Sequence, residues 1–446
     1  MKSIMLRMDA TGSISQESIQ PGTGIDYAAR YERMRDRADP EGHSMVYMTM
    51  DHRALSSHTS NISELMTLAD SLESLNESVT ELMVEGGMSP ENLVRFEKLA
   101  NYIAGPLGQD PIVLTDAEGI ISTESLGSRA RVAYQSIQNN LRSLVNSVSQ
   151  YFLRYRSLTG SVARQLKIEL ADLKKVRYND PIDVKTTLTM SAICDESGQF
   201  DLSVASEALR AFADEVKWVV NTLAPETISM LAAVGKWLDE MEVADDNTVN
   251  ASFSKVMDIQ PPLPLAAWPV VPRAGVKSYS VTKSTPTFDG NGFTALTPNV
   301  PPKVDTDYLT VALMGSDITY GDKNKRAVII SNDIVEVDNI DTVIDMVERA
   351  LEILEFHDIF NLHSTRLVKE LNGLMNAGQR LMQKASAAGD LSESSVAKLV
   401  LAIQAPQAIS LRAQSPFRDV LYESVRVVTG VLGLAGSVKT ALSSAE

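Results

Sequence analysis

The sequence predicts a mainly α-helical protein: a long-helix bundle carrying a small β-containing insert. Three observations lead there. Apolar residues recur at steps of three and four along most of the 446-residue chain, which gathers them on one face of a helix. Aromatic residues make up only 6% while methionine is common, a composition that suits helices better than sandwiches or barrels. Prolines crowd into residues 256–337 and exclude long helices from that stretch alone.

Residues 1–50 show no periodicity and are punctuated by Gly12, Pro21, Gly22, Gly24, Pro40 and Gly42, so they read as a mobile N-terminal arm. Residues 51–124 read as an acidic helical leader. Within it Ile62, Leu65, Leu68, Leu72, Leu75, Val79 and Leu82 share one face, and Glu64, Asp70, Glu73, Glu77, Glu81 and Glu85 lie largely on the other. Gly86-Gly87 ends that helix, and Ser89-Pro90 caps the next, which runs through Leu93, Phe96, Leu99, Ala100 and Ile103. Gly105-Pro106, Gly108 and Pro111 then open a linker ending at Ser122-Thr123-Glu124-Ser125-Leu126.

Residues 125–255 read as a long-helix body. Ile137, Leu141, Leu144, Val148, Tyr151, Tyr155, Leu158 and Val162 alternate steps of four and three, a heptad seam continued by Leu166, Leu170 and Leu173. Val145 and Phe152 beside the seam, and an interruption expected at Gly160, favour a broad bundle face over a two-stranded coiled coil. Two further helices are expected within 202–243, hinged near Pro225. In the insert, 256–337, the strand candidates are 277–283, 308–314 and 327–330, with the turn Tyr320-Gly321-Asp322-Lys323-Asn324-Lys325 joining two of them in a hairpin. The C-terminal region, 338–446, returns to helix, with seams at Ile340 to Leu354, Leu367 to Leu381, Leu391 to Ile403 and Phe417 to Leu442. The apolar run 427–438 is shorter than the roughly 20 residues that span a bilayer and is read as a buried helix.

The chain carries a net charge of −16, which argues against a general nucleic-acid coat. The charge is uneven. Residues 1–124 hold 9 Lys/Arg against 20 Asp/Glu, whereas 125–180 hold 10 Lys/Arg against 3 Asp/Glu. The basic residues are Arg129, Arg131, Arg142, Arg154, Arg156, Arg164, Lys167, Lys174, Lys175 and Arg177. They read either as a solvated helix face or as weak, salt-sensitive phosphate contacts, without a recognition helix or stacking platform. A single cysteine, Cys194, allows no disulfide within one chain and fits synthesis in a reducing cytoplasm.

No enzyme active site, cofactor site or metal site is expected. Gly433-Leu434-Ala435-Gly436-Ser437-Val438-Lys439-Thr440 resembles a phosphate-binding loop, but Val438 stands where the last glycine is required. His357 and His363 are six apart and fall on different faces of a helix, so surface or partly buried histidines are expected. Cys194 has no nearby His in sequence, Asp289-Gly290-Asn291-Gly292 reads as a turn, and the many carboxylates read as solvated faces.

The order of features from 61 to 178 resembles the internal head proteins of jumbo and other large tailed phages. These have an acidic helical leader, here Leu72-Glu73-Ser74-Leu75 through Gly86-Gly87-Met88-Ser89-Pro90. A second helix, a loose linker and a small-x-Glu tripeptide follow, ahead of a long basic helix. The likeness covers about a quarter of the chain and is architectural. It implies cleavage by a prohead protease after Glu124, at Ser122-Thr123-Glu124 before Ser125, with a second candidate after Glu17, at Ser15-Gln16-Glu17 before Ser18. Ser71-Leu72-Glu73, Ala205-Ser206-Glu207 and Ser444-Ala445-Glu446 match the tripeptide too, and context singles out Glu124, where charge switches sign in an expected linker. The resemblance further implies a virion structural protein made in the host cytoplasm and packaged in the head interior. Its partners would be capsid or core proteins and weakly bound, non-specific packaged DNA, with no membrane. An unprocessed cytoplasmic helical scaffold or interaction protein stands as the alternative.

Removal of the leader changes the net charge from −16 to −5. Residues 125–446 are therefore expected to bind DNA more tightly than the full chain at low salt, and equal affinities in a salt titration would refute a screening role for the leader.

Overall fold

The computed structural model describes residues 159–176, 180–271, 279–299, 302–321, 330–331, 333–386 and 391–445, with scattered helical positions between 54 and 152. The chain divides into two units: Met1–His43 with Arg53–Leu144, and Ser44–His52 with Val145–Glu446. In the first unit Ala54 and Ser57, at the start of the expected leader, are helical. Lys98, Ala100 and Asn101 are helical in the expected second leader helix, with Ala100 buried. The N-terminal arm, most of the leader and the linker lie outside the described residues.

The second unit is mainly α-helical with a small β insert. Helix α1 (159–173) carries the end of the heptad seam, with Val162, Leu166 and Leu173 buried. The seam from Ile137 to Leu158 lies outside the described residues, but Val145 and Phe152 beside it are buried, as a broad bundle face requires. Gly160, where an interruption was expected, is itself helical and exposed, and residues 153–158 just before it lie outside the described residues.

Helix α2 (Leu202–Trp218) starts at Asp201, whose carboxylate accepts the amides of Ser203 and Val204 at 2.9 and 3.0 Å. Its expected stripe, Leu202, Ala205, Leu209, Phe212 and Val216, is buried. No open hinge follows. A π-helical turn (Val219–Leu223) runs directly into α3 (Ala224–Glu240), with the Ala224 amide reaching back five residues to the Val219 carbonyl. Pro225 sits in the first turn of α3, where a missing N–H is tolerated, and the chain absorbs it as a bulge. Helix α4 (Asp246–Ser254), unforeseen in the sequence, begins with a reciprocal capping box between Asp245 and Thr248.

The insert is a four-stranded antiparallel sheet in the order β2 (Val270–Val271), β3 (Tyr279–Lys283), β4 (Phe293–Pro298), β5 (Asp317–Tyr320). Strand β3 falls within the expected 277–283. Residues 308–314, expected as a strand, instead form a π-helical turn (Tyr308–Leu313). Leu309, Ala312 and Leu313 are buried there, a helical spacing hidden under the alternation of Leu309, Val311 and Leu313. The 327–330 candidate lies largely outside the described residues. The expected hairpin about Tyr320–Lys325 is corrected in its partners: the strand before it is β5, and β6 (Ile334–Val337) leaves the insert to pair with β1 (Ile182–Lys185), Ile182 opposite Val337.

Two long antiparallel helices close the unit. Helices α5 (Ile340–Ser386) and α6 (Glu393–Ala445) extend about 70 and 80 Å at 1.5 Å per residue. Phe360 stacks on Phe417 at 5.6 Å, and Ser410 reaches Met375 at 3.7 Å. The seams at Leu391 to Ile403 and Phe417 to Leu442 belong to one helix, since α6 runs through Pro406 and Pro416. Pro406 is seated against Gly378, where a Cβ would lie 2.7 Å from its ring. The run 427–438 is a buried helix as expected, with Val427, Val428, Val431, Leu434, Ala435 and Val438 in the core. By length and composition α6 could cross a membrane, since it holds a stretch of 18 residues that is apolar enough, but half of that stretch is buried in the protein. The segment resembling a phosphate-binding loop lies wholly within α6, and Gly433 leaves room for Thr187 and Thr189 to pack against it.

Gly378→Ala is expected to lose about 1–3 kcal/mol through overpacking, against a helix-propensity gain of about 1 kcal/mol. Gly373→Ala in the same helix, where a Cβ meets nothing within 4 Å, keeps the gain alone. Urea unfolding of the two variants checks this, and a Gly378→Ala protein as stable as Gly373→Ala would exclude the close approach.

Candidate functional site

Of the residues singled out in the sequence, Glu17, Ser18, Glu124, Ser125, Arg129, Arg131, Arg154, Arg156 and Arg177 lie outside the described residues. Arg142 is helical, and Arg164 and Lys167 are exposed on α1. The end of the basic stretch is paired internally. Lys174 Nζ lies 2.6 Å from Glu348 of α5, and Lys175 lies 2.9 Å from Asp172. Lys439 of α6 also reaches Asp172, at 2.7 Å. Hydrogen bonds from Lys439 and Lys175 bring the Asp172 carboxyl down to about 2.

The remaining single-residue candidates are structural in setting. Cys194 is buried, its thiol 3.3 Å from the Met190 carbonyl. His357 is fully buried, against the expectation of a surface or partly buried ring, and burial lowers its pKa to about 4. Asp289-Gly290-Asn291-Gly292 forms the expected turn, with Gly290 at φ +63. Among the described residues no group of three His, Cys, Asp or Glu is placed to hold a metal ion.

The reading of carboxylates as solvated faces fails at three positions: Glu215, Asp419 and Glu423. On α6, Arg418 is fully buried, and its Nε and Nη2 donate to Asp419 Oδ1 at 3.0 and 2.9 Å. Ser415 donates to the other Asp419 oxygen at 3.0 Å. One turn further on, Arg426 grips Glu423 with two hydrogen bonds, Nε to Oε2 at 3.0 Å and Nη2 to Oε1 at 2.8 Å. Asn291 of the insert reaches the same carboxylate at 3.4 Å.

Glu423 and Glu215 both act on Tyr320, at the end of β5. Burial, then the charges of Glu423 and Glu215, raise its phenol well above the usual value. Its hydroxyl lies 3.5 Å from Thr287 Oγ1, and its ring sits against Phe293 and Phe212 at 4.9 and 6.1 Å. Glu215 of α2 faces Ser284, and its Oε2 is buried with no hydrogen-bond partner. Burial raises the Glu215 carboxyl to about 8, with Ser284 pulling modestly the other way. The group therefore links α2 to the insert through Glu215 and Ser284, and the insert to α6 through Asn291 and Glu423. Tyr320 and Glu423 are each only 4% exposed, so the cluster is closed to a substrate.

The sequence did hold signals for these residues. Glu215 lies three residues after Phe212 and four before Val219, beside the buried stripe of α2. Arg418, Asp419 and Glu423 interrupt an otherwise apolar helix, where burial of charge requires pairing. Comparison with protein-family models, with curated proteins and with solved structures gives no match to this chain.

Because the folded chain holds the Glu215 proton more tightly than the unfolded one, the stability that Glu215 contributes is fully present below the unfolded value of 4.5. It falls as pH rises to about 8. The loss over that window is on the order of 4 kcal/mol. Urea unfolding across this range is expected to show the slope in the native protein and a flatter profile in Glu215→Gln. Parallel profiles would place the proton elsewhere.

Proposed function

We propose that the protein is a structural component packaged inside the head of a large tailed phage, with its acidic leader removed after Glu124 during maturation. The observation that carries the constructional part is the use made of charge in the second unit. Ion pairs tie α1 to α5 through Lys174 and Glu348, α1 to α6 through Asp172 and Lys439, α2 to α5 through Arg210 and Asp345, and α3 to α5 through Arg380 and Asp239. The buried ionic groups of α6 pair within that helix, Arg418 with Asp419 and Arg426 with Glu423. Exposed pairs of this kind add little stability singly but fix which helix faces meet.

The processing part is supported by the division of the chain, since the long segment of the second unit, which carries its core, runs from Val145 to Glu446, beyond Glu124. Contact with packaged DNA would fall to Arg164 and Lys167 among the described basic residues, because Lys174 and Lys175 are paired. That fits a weak and non-specific role. The capsid or core proteins and a prohead protease are the partners this reading requires. The reading it is tested against is an unprocessed helical scaffold or interaction protein.

Intact mass and N-terminal sequencing of the chain recovered from purified particles decide between them. A start at Ser125 is expected. A start at Met1 removes the processing step, and absence of the chain from particles removes the head-protein reading.

A further inference from the structure

Helix α2 meets the insert through rings and one carboxyl. Phe212 lies 6.4 Å from Phe288 and 6.1 Å from Tyr320, and Trp218 lies 5.3 Å from Phe293. Glu215 falls midway between Phe212 and Trp218 in α2. It faces Ser284, whose Oγ also takes the Phe293 amide at 2.8 Å. Glu215 Oε2 is shielded from solvent and meets no hydrogen-bond partner. A carboxyl in this setting is tolerated as the neutral acid and is costly as an anion. Around the joint, Tyr320 of β5 is a neutral phenol, Glu423 of α6 holds Arg426, and Asp345 of α5 holds Arg210. Lys217 of α2 and Lys283 of β3 are exposed. The arginines are thus engaged by other carboxylates and the lysines lie outward.

We propose that the contact between α2 and the insert is a pH-operated latch, closed while Glu215 holds its proton and opening as the proton leaves, with the helices intact. Both sides have other anchors. Helix α2 is tied to α5 by Arg210 and Asp345 at 2.9 Å, and the insert reaches α6 through Asn291 and Glu423 at 3.4 Å. The joint can therefore part locally, and parting gives the carboxylate water in place of rings. In the closed form burial raises the carboxyl from 4.5 to about 8, and in the open, solvated form it returns toward 4.5. Closure is therefore fully favoured below 4.5 and weakens as pH rises. It weakens no further above about 8, where the closed form is itself ionised. Within that window each pH unit changes the ratio of open to closed by about tenfold. The inference is independent of the processing reading, since every residue in it belongs to the second unit.

The test is hydrogen–deuterium exchange of the full chain from about pH 5 to about pH 9, read by mass spectrometry with each rate divided by the intrinsic rate at that pH. The Phe293 amide, closed onto Ser284, reports the latch, and amides in the middle of α5 report the helices. Protection of peptides covering Ser284 and Phe293 is expected to fall by up to about tenfold per pH unit, levelling off near the top of the range, while α5 is unchanged. Glu215→Gln fills the same space without titrating and should show no such fall. Acrylamide quenching of tryptophan fluorescence, which reads Trp218 and Trp268 at the joint, provides a second readout that needs no variant, and it should rise over the same range. Protection and quenching that do not change with pH overturn the proposal. An equal fall in Glu215→Gln, or loss of α5 protection in step with the insert, overturns it as well.

Discussion

Helix α6 is buried along most of its middle, and that constraint organises the second unit. Between Ala405 and Ala435 most residues are buried, so polar groups on that stretch must be satisfied within the fold. Hydroxyls turn back onto the helix: Ser424 donates to the Val420 carbonyl at 2.8 Å and Thr429 to Val425 at 2.7 Å. The charges pair locally, Arg418 with Asp419 and Arg426 with Glu423. Buried ion pairs are poor sources of net stability but expensive to break. Their effect here is to permit few rotations of α6 other than the observed one. Gly433 and the Gly378–Pro406 contact then set how closely the neighbouring elements approach.

The insert is held to the helices by aromatic rings, which explains how so few suffice. All three tryptophans of the chain work at joints between elements. Trp218 of α2 meets Trp268 at 4.8 Å and Phe293 at 5.3 Å, and Trp268 stacks on Phe293 at 5.3 Å. Trp237 packs edge-on against Phe253 at 5.6 Å and donates its indole N–H to the Ser252 carbonyl at 3.0 Å. Phe212, Phe288 and Tyr320 extend the first group toward Glu215 and Glu423. Glu215 is near enough to Tyr320 of that cluster for its charge to act on the phenol, and burial that raises its carboxyl to about 8 makes the joint sensitive to pH.

Charge along the chain has a different meaning in three dimensions than in one. The basic run ending at Arg177 looks like a single surface in the sequence. In the fold, Lys174 and Lys175 face acidic partners, and Lys439, more than 260 positions away from Asp172, completes the local balance. What remains outward on α1 is Arg164 and Lys167. A phosphate-binding role for the described part of this helix is correspondingly small, and a role in fixing helix to helix is correspondingly large.

The sequence by itself determined what depends on near neighbours. The helical class, the stripe of α2, the buried face of α1, strand β3 and the burial of 427–438 all follow from apolar spacing within a few turns. Tertiary structure decided what depends on distant partners. Pro406 and Pro416 are helix breakers in isolation, yet α6 continues through them because burial against α5 and the rest of the body holds the flanking turns together. Strand β6 follows the insert in sequence but pairs with β1, a choice that no local pattern encodes. Glu215, Asp419 and Glu423 belong to a residue type that is usually solvated. Asp419 and Glu423 carry their partners Arg418 and Arg426 on the same helix. Their burial, like that of Glu215 beside Ser284, was settled only when the rest of the unit packed around them, because a charge or a proton is kept inside a protein by its surroundings and not by its own identity.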